Sequence, residues 1–407
     1  MTSNVSRFPA RNLHSDAAEE RDPRRLRSRA KEAADVAARH AAAVDRDARF
    51  PSEAFAAIRE QKLLGLLIPA ALGGEEASAA DVAEVCYILG GACASTAMIF
   101  AMHQVKVACL VRHSRGVAWQ ENLQRRIAAE QLLMASSTTE GSNGGNVRSS
   151  EAPVRTQGQH ISLERATSCI SYGEHADGIV TTARRNEAAA GSDQVLVAFL
   201  KDDYSLERTQ SWDTLGMRGT CSVGFILRAK GVAEQVLADP YERIHSQTMV
   251  PFAHMFWSAA WAGLAAGAVQ RARDFVRAAA RASGGKMPPA AAHLTRARLS
   301  LETLRGAVHS AIESFERRSR DSEGLDDLNA QTALNLLKVE ASELAVATVL
   351  SAMRACGLSG YRNDTEFTLG RHLRDVLSSP IMINNDRILA NAEAAVLMSG
   401  APAGLSF

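Results

Sequence analysis

Residues 371–388 read Arg-His-Leu-Arg-Asp-Val-Leu-Ser-Ser-Pro-Ile-Met-Ile-Asn-Asn-Asp-Arg-Ile. A basic run at 371–374 is followed by a short apolar segment, 381–383, and by a polar cluster at 384–387. A segment of this kind could bind an anionic ligand, or it could be a helix-to-loop junction with a solvated charged end. The rest of the sequence helps to decide between these two interpretations.

The length and composition set the first limits. A chain of 407 residues can bury a large core and form two or three layers or domains. Its apolar fraction of 46% and charged fraction of 22% are those of an ordinary soluble globular protein. The net charge of +1 gives no indication of a nucleic-acid groove or a strongly basic membrane face.

The cysteines indicate neither a metal centre nor a disulfide framework. They lack CxxC spacing and nearby histidines, so we expect no metal site and a reduced, cytoplasmic location. No apolar run approaches the roughly 20 residues of a membrane-spanning helix, and the N-terminus lacks the apolar region of a signal peptide. The six cysteines are Cys86, Cys93, Cys109, Cys169, Cys221 and Cys356.

The first third of the chain predicts a helical domain at 22–130, after a polar tail at 1–21 that we expect to be disordered. Asp22 and Pro23 form a helix start, and that helix should run to about Asp47. Ser52 can cap a second helix that continues through Leu64.

From 79 to about 130 the apolar spacing is again helical. Before it, Gly73 and Gly74 predict a turn. His103 lies within an apolar stretch, and we interpret it as a hydrogen-bonded core histidine rather than a catalyst.

The middle of the chain, 131–241, predicts a compact antiparallel β-domain. A Gly-rich segment at 138–146 follows the first strand, where the backbone either turns tightly or approaches a ligand. The predicted strands are short β-branched runs separated by Gly, Asn and Asp: 132–139, 154–156, 160–163, 169–171, 179–183, 195–200 and 223–227.

The remainder, 242–407, predicts an antiparallel helical bundle. Long amphipathic helices should end near Ser283, Arg317 and Cys356, and a shorter one should cover about 386–398. An apolar stripe on the first of them reads as core rather than as a cofactor site. It comprises Trp257, Trp261, Leu264, Ala268 and Phe275. The predicted fold class is therefore α+β, with an N-terminal helical domain, a middle antiparallel β-domain and a C-terminal four-helix bundle.

This order of domains and several motifs resemble the acyl-CoA dehydrogenase family of flavoproteins, whose superfamily also includes flavin-dependent monooxygenases. The resemblance covers nearly everything from Asp22 onward. It rests on Thr-Glu-Gly at 139–141, Leu-Gly-Met-Arg-Gly-Thr at 215–220, Cys-Gly-Leu-Ser-Gly-Tyr at 356–361 and Arg-His-Leu-Arg-Asp at 371–375.

The resemblance implies FAD at the junction of the β-domain and the bundle, or FMN if the protein is a monooxygenase. Thr138 and Thr139 would contact the pyrimidine edge of the ring, Ser171 would face N5, and Cys169 would take the place of a stacking aromatic. Other implied cofactor-binding residues are Arg281 and Ser283 from a neighbouring subunit, and Arg354, Gly357, Asn385 and Arg387. Such a site implies a homodimer or, by resemblance, a homotetramer. Gly145, Gly284 and Arg354 depart from the family's cofactor contacts.

The largest departure from the family's sequence pattern is at the catalytic position. Desaturating an acyl thioester requires a carboxylate to remove the α-proton. The family's glutamate falls on Ile383, and the position used by other branches falls near Trp257. His254 and Asp386, each about one helical turn away, are candidate substitutes.

Three functions therefore remain. Oxidation of an acyl thioester on CoA or a carrier protein, with an electron-transfer partner, ranks first because the body of the chain resembles dehydrogenases. A monooxygenase using reduced flavin and O2, supplied by a flavin reductase, ranks second. A non-catalytic homologue ranks third.

Overall fold

The computed structural model describes residues 23–114, 116–141, 147–320 and 327–398. The predicted tail at 1–21 and Gly145 lie outside these ranges. The α+β architecture is confirmed, with helices, then strands, then helices along the chain. The first five helices are α1 (Pro23–Arg46), α2 (Ser52–Glu60), α3 (Ala79–Ala92), α4 (Ala94–His113) and α5 (Ala118–Glu130).

Two helix limits in this region differ from the prediction. Ser52 is the first residue of α2 rather than its cap; the cap position belongs to Pro51, and no side chain caps the helix. The helix also ends at Glu60, four residues early. The continuous helical pattern after Ala79 is divided into three helices because Cys93 and Val117 have extended backbones.

Helix α4 is central to the first domain. The sequence predicted no run long enough to span a membrane, but α4 meets that criterion by length and composition, with 89% of the apolar window buried inside the protein. His103 on α4 is a satisfied core histidine, as predicted. Its Nδ1 accepts from the Met134 N–H at 3.0 Å, so its Nε2 donates to the Leu64 carbonyl at 2.9 Å.

The middle region contains two sheets. One has the strand order β1-β4-β5 and the other β2-β3-β7-β6. All pairs are antiparallel except β1 and β4, which are parallel, contrary to the purely antiparallel prediction. The runs predicted at 160–163 and 169–171 form one strand with an irregularity near its end. The strands are β1 (Met134–Ser137), β2 (Arg155–Gln157), β3 (His160–Ile170), β4 (Gly178–Arg184), β5 (Gln194–Leu200), β6 (Tyr204–Arg208), which was not predicted, and β7 (Val223–Val232).

The C-terminal helices form the predicted bundle. Short α6 (Tyr241–Ile244) and a π-helical turn (His245–Met249) lead into it, and neither was predicted. The long helices are close to their predicted limits, and Trp257, Trp261, Leu264 and Ala268 are buried as expected. They are α7 (Val250–Ala282), α8 (Ala291–Arg320) and α9 (Leu328–Cys356), followed by α10 (Leu358–Tyr361), α11 (Gly370–Val376) and α12 (Asn385–Met398).

Helix α7 packs closely on α3 because both helices carry glycine at the contact. A Cβ at Gly90 would collide with the Ala260 carbonyl, and one at Gly263 would collide with the Tyr87 carbonyl. Glycine is therefore required at both positions for the two backbones to approach. This contact fixes α7, which carries much of the candidate site, against the N-terminal domain.

Residues 371–388 contact both the N-terminal helices and the β-region. Asp375 accepts from the Met217 N–H at 2.7 Å, and burial raises the pKa of this carboxyl to about 6. Arg374 forms an ion pair with Asp45 of α1 and donates to the Leu215 carbonyl at 3.1 Å. Two family-like motifs, 215–220 and 371–375, therefore contact each other, and these side chains have internal partners.

Candidate active site

Ile383, predicted from the sequence to occupy the family's catalytic position, lies in a turn between α11 and α12. Its side chain is 40% exposed. Its φ of +46° is in the left-handed region, which a β-branched residue rarely adopts. Its carbonyl accepts from the Lys338 Nζ at 2.8 Å. The turn is thus strained at the residue where the chemistry is expected.

Lys338 of α9 is completely buried beneath this turn. Besides the Ile383 carbonyl, its ammonium contacts the Asn385 Oδ1 at 2.7 Å and lies 5.7 Å from the centre of the Trp261 ring. Burial lowers the pKa of Lys338 to about 8. The sequence analysis did not identify this lysine, because one lysine in an amphipathic helix usually faces solvent.

Helix α12 carries three residues that were predicted to serve the site. The Asn385 side chain turns toward α9, where it donates to Ser342 Oγ at 3.0 Å and Glu343 Oε1 at 2.9 Å. Asp386 and Arg387 are exposed. The Asp386 carboxylate therefore lies in solvent at the start of α12.

One face of α7 presents four buried polar or aromatic residues toward α9: His254, Trp257, Ser258 and Trp261. His254 Nδ1 lies 3.0 Å from the Leu334 carbonyl and must donate to it. Burial lowers the pKa of His254 to about 4, so the neutral ring carries its lone pair on Nε2. Among the described residues, nothing is hydrogen-bonded to Trp257 Nε1, Ser258 Oγ or Trp261 Nε1.

The buried carboxylates of the described chain all have partners elsewhere. Glu140 forms an ion pair with Arg165 at 3.1 Å, Asp239 accepts from His113 at 2.7 Å, and Asp375 accepts from Met217. Neither family position, Ile383 nor Trp257, has an acid. Within the described ranges, no cluster of three His, Cys, Asp or Glu side chains could hold a metal.

A second group of predicted residues lies where β1 and β3 end. The Thr139 hydroxyl accepts from Ser168 at 3.0 Å and lies 3.8 Å from the Cys169 sulfur. Ser171 is hydrogen-bonded to Ser222 at 2.7 Å. Thr138, directly before Thr139, is half-buried. The structure thus brings Thr139 and Cys169 together. Ser168 and Ser222 were missed, since neither lies in a motif.

The remaining predicted cofactor residues are exposed. Arg281 and Ser283 lie at the far end of α7, about 36 Å along the axis from Trp257 at a rise of about 1.5 Å per residue. They are therefore remote from the Trp257 region of their own chain. Arg354 and Gly357 end α9, and Gly357 has φ +55° and ψ −135°, a conformation open essentially only to glycine.

Comparison with known proteins identifies two family models in this chain. Residues 20–130 match the N-terminal domain of acyl-CoA dehydrogenase, and residues 247–397 match its C-terminal domain.

Relatives of both chemical kinds resemble the chain. It is 26% identical over 350 residues to cyclohex-1-ene-1-carbonyl-CoA dehydrogenase of Geobacter metallireducens, covering 85% of this chain and 89% of that protein. It is 29% identical over 362 residues to the amino sugar nitrososynthase RubN8 of Streptomyces rubradiris, covering 84% and 82%. The FMN-bound structure of TdsC from Paenibacillus sp. A11-2, a dibenzothiophene monooxygenase, superimposes with a TM-score of 0.80 at 18% identity, covering 93% of this chain and 98% of that one.

Proposed function

The chain belongs to the acyl-CoA dehydrogenase family, and from that membership and the lack of an acid at both of the family's base positions we propose that it is a flavin-dependent oxygenase. The observation that carries the proposal is the pair Ile383 and Trp257. At both positions where the family has a base, this chain has a side chain that cannot accept a proton.

The hydroxyl and thiol groups at the ends of β1 and β3 suit a flavin ring. Thr139, Cys169 and Ser171 offer half-buried neutral groups that can hydrogen-bond to ring nitrogens and carbonyls. FAD is the cofactor expected for the family, and FMN is the alternative, given the FMN-bound relative. When bound, reduced flavin would supply two electrons to O2, with one oxygen atom entering the substrate and the other leaving as water.

The chain's own part is to bind and orient the substrate and to exclude water from it. The buried face of α7 and the turn at Ile383 would supply that surface. Reduced flavin would come from a reductase partner. Arg281 and Ser283 lie far along α7 from Trp257 of their own chain, and in a dimer or tetramer those of a neighbouring subunit would complete the site.

Thioester desaturation is the second candidate, favoured by the similarity to a CoA-ester dehydrogenase over most of the chain. It requires a substitute base. The His254 ring offers a lone pair on Nε2, but its lowered pKa makes it a weak base. A positioned general base raises the reaction rate by a factor of about 100 to 10,000, and a desaturation at this site would lose most of that factor.

The visible spectrum of the flavin-loaded protein separates the two. Mixed without oxygen with a panel of acyl-CoA thioesters, the oxygenase should keep its oxidised flavin spectrum. After chemical reduction and addition of 18O2 with a panel of small amines, alcohols and their phosphates, label should appear in a product. Rapid bleaching by a thioester would instead establish the dehydrogenase.

A further inference from the structure

We infer that the buried face of α7 binds an anionic, oxygen-bearing group of the substrate, a carboxylate or a phosphate. The subsite consists of His254, Trp257, Ser258 and Trp261, with Lys338 of α9 beside them. The inference rests on the proposed function only in assigning that group to a substrate, and the binding can be measured without turnover.

The first argument is unmet hydrogen-bonding capacity. Trp257 is 9% exposed, Trp261 2% and Ser258 0%, and none of their polar side-chain atoms has a partner among the described residues. A buried donor without a partner loses its hydrogen bond to water and gains none in exchange, which destabilises the fold. Three such groups within two helical turns of one face are unusual in a native core. An indole N–H only donates, so whatever satisfies these tryptophans must be an acceptor.

The second argument is charge. Lys338 and Lys106 are both buried, and neither forms an ion pair within the described ranges. Within the described part of the chain, the hydrogen-bond partner of the Lys106 ammonium is the Met249 sulfur, at 3.5 Å. His254 feels the charge of Lys338, while His245, in the π-helical turn, feels those of Lys106 and Arg148. The exposed Glu343 carboxylate attracts the Lys338 charge, but no carboxylate is hydrogen-bonded to either ammonium among the described residues. Buried charges in proteins are normally paired, so the two lysines favour an anionic ligand.

Together the two observations narrow the chemistry of the ligand. An apolar acyl chain would leave the indole N–H groups unsatisfied. A cation would be repelled by the lysines. A neutral carbonyl could accept the hydrogen bonds but would leave the charge uncompensated. A carboxylate or phosphate supplies both the acceptors and the charge.

The test measures binding to the flavin-loaded protein with three simple probes: inorganic phosphate, acetate and acetamide, the neutral counterpart of acetate. Calorimetry and ligand-dependent thermal stabilisation, at constant ionic strength, give the dissociation constants. Trp257→Phe and Trp261→Phe each remove an N–H while keeping an aromatic ring, and Ser258→Ala is a third, smaller change. Trp119→Phe, on α5, is the matched control.

Phosphate or acetate should bind at least tenfold more tightly than acetamide, and each of the three variants should weaken that binding by about tenfold, the usual worth of a hydrogen bond to a charged group. Trp119→Phe should leave it unchanged. Whichever of phosphate and acetate binds better identifies the group. Equal binding of acetate and acetamide, no binding, or binding unaffected by all three variants would overturn the inference. Bleaching of the flavin by thioesters would refute the oxygenase while leaving these constants as they are.

Discussion

The Ser171 hydroxyl lies 2.7 Å from the Ser222 hydroxyl, which is itself 2.8 Å from that of Thr220. Thr220 must donate to the Met217 carbonyl at 2.9 Å, because a carbonyl cannot donate. Each hydroxyl has one proton, so all three contacts are hydrogen bonds only if Ser222 donates to Thr220 and Ser171 donates to Ser222. Ser171 therefore offers a ligand its lone pairs.

This direction has a consequence for the flavin that we propose. If Ser171 faces ring N5, its lone pair matches the N–H of the reduced ring and not the lone pair of the oxidised ring. Ser222→Ala should free the Ser171 proton to stabilise the oxidised form. A hydrogen bond contributes about 1 kcal/mol, so the midpoint potential should become more negative by about 20–40 mV for a two-electron couple.

Thr220→Val should shift the potential with the same sign, because Ser222 would then turn its proton toward Ser171. Thr348→Val removes a hydroxyl that is equally buried but lies on α9, where it donates to the Leu344 carbonyl. That control should leave the potential unchanged. Spectroelectrochemical titration of the natural protein and the three variants measures these potentials. A midpoint potential unchanged in both Ser222→Ala and Thr220→Val would show that Ser171 does not contact the flavin ring.

Ile383→Asn should stabilise the fold. A left-handed conformation costs an ordinary residue about 1–2 kcal/mol, and asparagine tolerates it better than a β-branched residue does. Because the Ile383 side chain is already 40% exposed, little burial is lost. We expect the free energy of unfolding to rise by about 1 kcal/mol in denaturant titrations.

Ile381→Asn is the matched control, since Ile381 belongs to the same turn, is 72% exposed and does not have a positive φ. It should not stabilise the protein. If Ile383→Asn were no more stable than Ile381→Asn, the left-handed backbone at Ile383 would not carry the expected energetic cost. A gain in stability with a loss of turnover would instead indicate that the strain serves the site.

Lys106→Met should stabilise the protein at neutral pH. Burial lowers the pKa of Lys106 to about 8. Cys109 acts in the opposite direction and raises this pKa, whereas the positive charge of Arg165 lowers it further. Below pH 8 the lysine is charged in both the folded and the unfolded protein, so folding bears the full free-energy cost of burying that charge. Between about pH 8 and 10.5 the folded protein releases this proton first, and the cost disappears.

The advantage of Lys106→Met should therefore be greatest below pH 8, at up to about 3 kcal/mol, and should vanish above about pH 10.5. Denaturant unfolding at pH 7, 9 and 10 measures it. Lys31→Met, at an exposed lysine of α1, is the control and should not stabilise the protein at pH 7. A variant less stable than the natural protein at pH 7 would mean that Lys106 already has a favourable counter-charge.

The sequence predicted the parts of this fold that depend on local periodicity. The limits of α7 and α9 follow from apolar spacing, and the burial of Trp257 and Trp261 was expected from it. What could not be predicted depends on the facing element. The hydrogen-bonding of the Trp257 and Trp261 indoles depends on which groups α9 places opposite them. The parallel pairing of β1 with β4 depends on how distant segments assemble into one sheet.

The site shows the same division. The family resemblance predicted Thr139, Cys169 and Ile383 as site positions, and the lack of an acid at Ile383 follows from the sequence itself. Lys338 was missed because its role comes from a turn 45 positions later, whose carbonyl it binds. The hydroxyl order from Ser171 to Thr220 likewise requires three distances that no sequence pattern contains.

Asp386→Asn tests whether a carboxylate near the family position acts as a base. Asp386 is exposed, and its backbone N–H donates to the Asn384 Oδ1 at 2.8 Å, which fixes the start of α12 without the carboxylate. A charge at a helix N-terminus contributes about 0.3–1 kcal/mol, so only a small loss of stability is expected. The rate of product formation and its pH profile should be unchanged, with Glu393→Gln, farther along α12, as the control. A loss of about a hundredfold or more, confined to Asp386→Asn, would identify Asp386 as a general base and restore the thioester dehydrogenase.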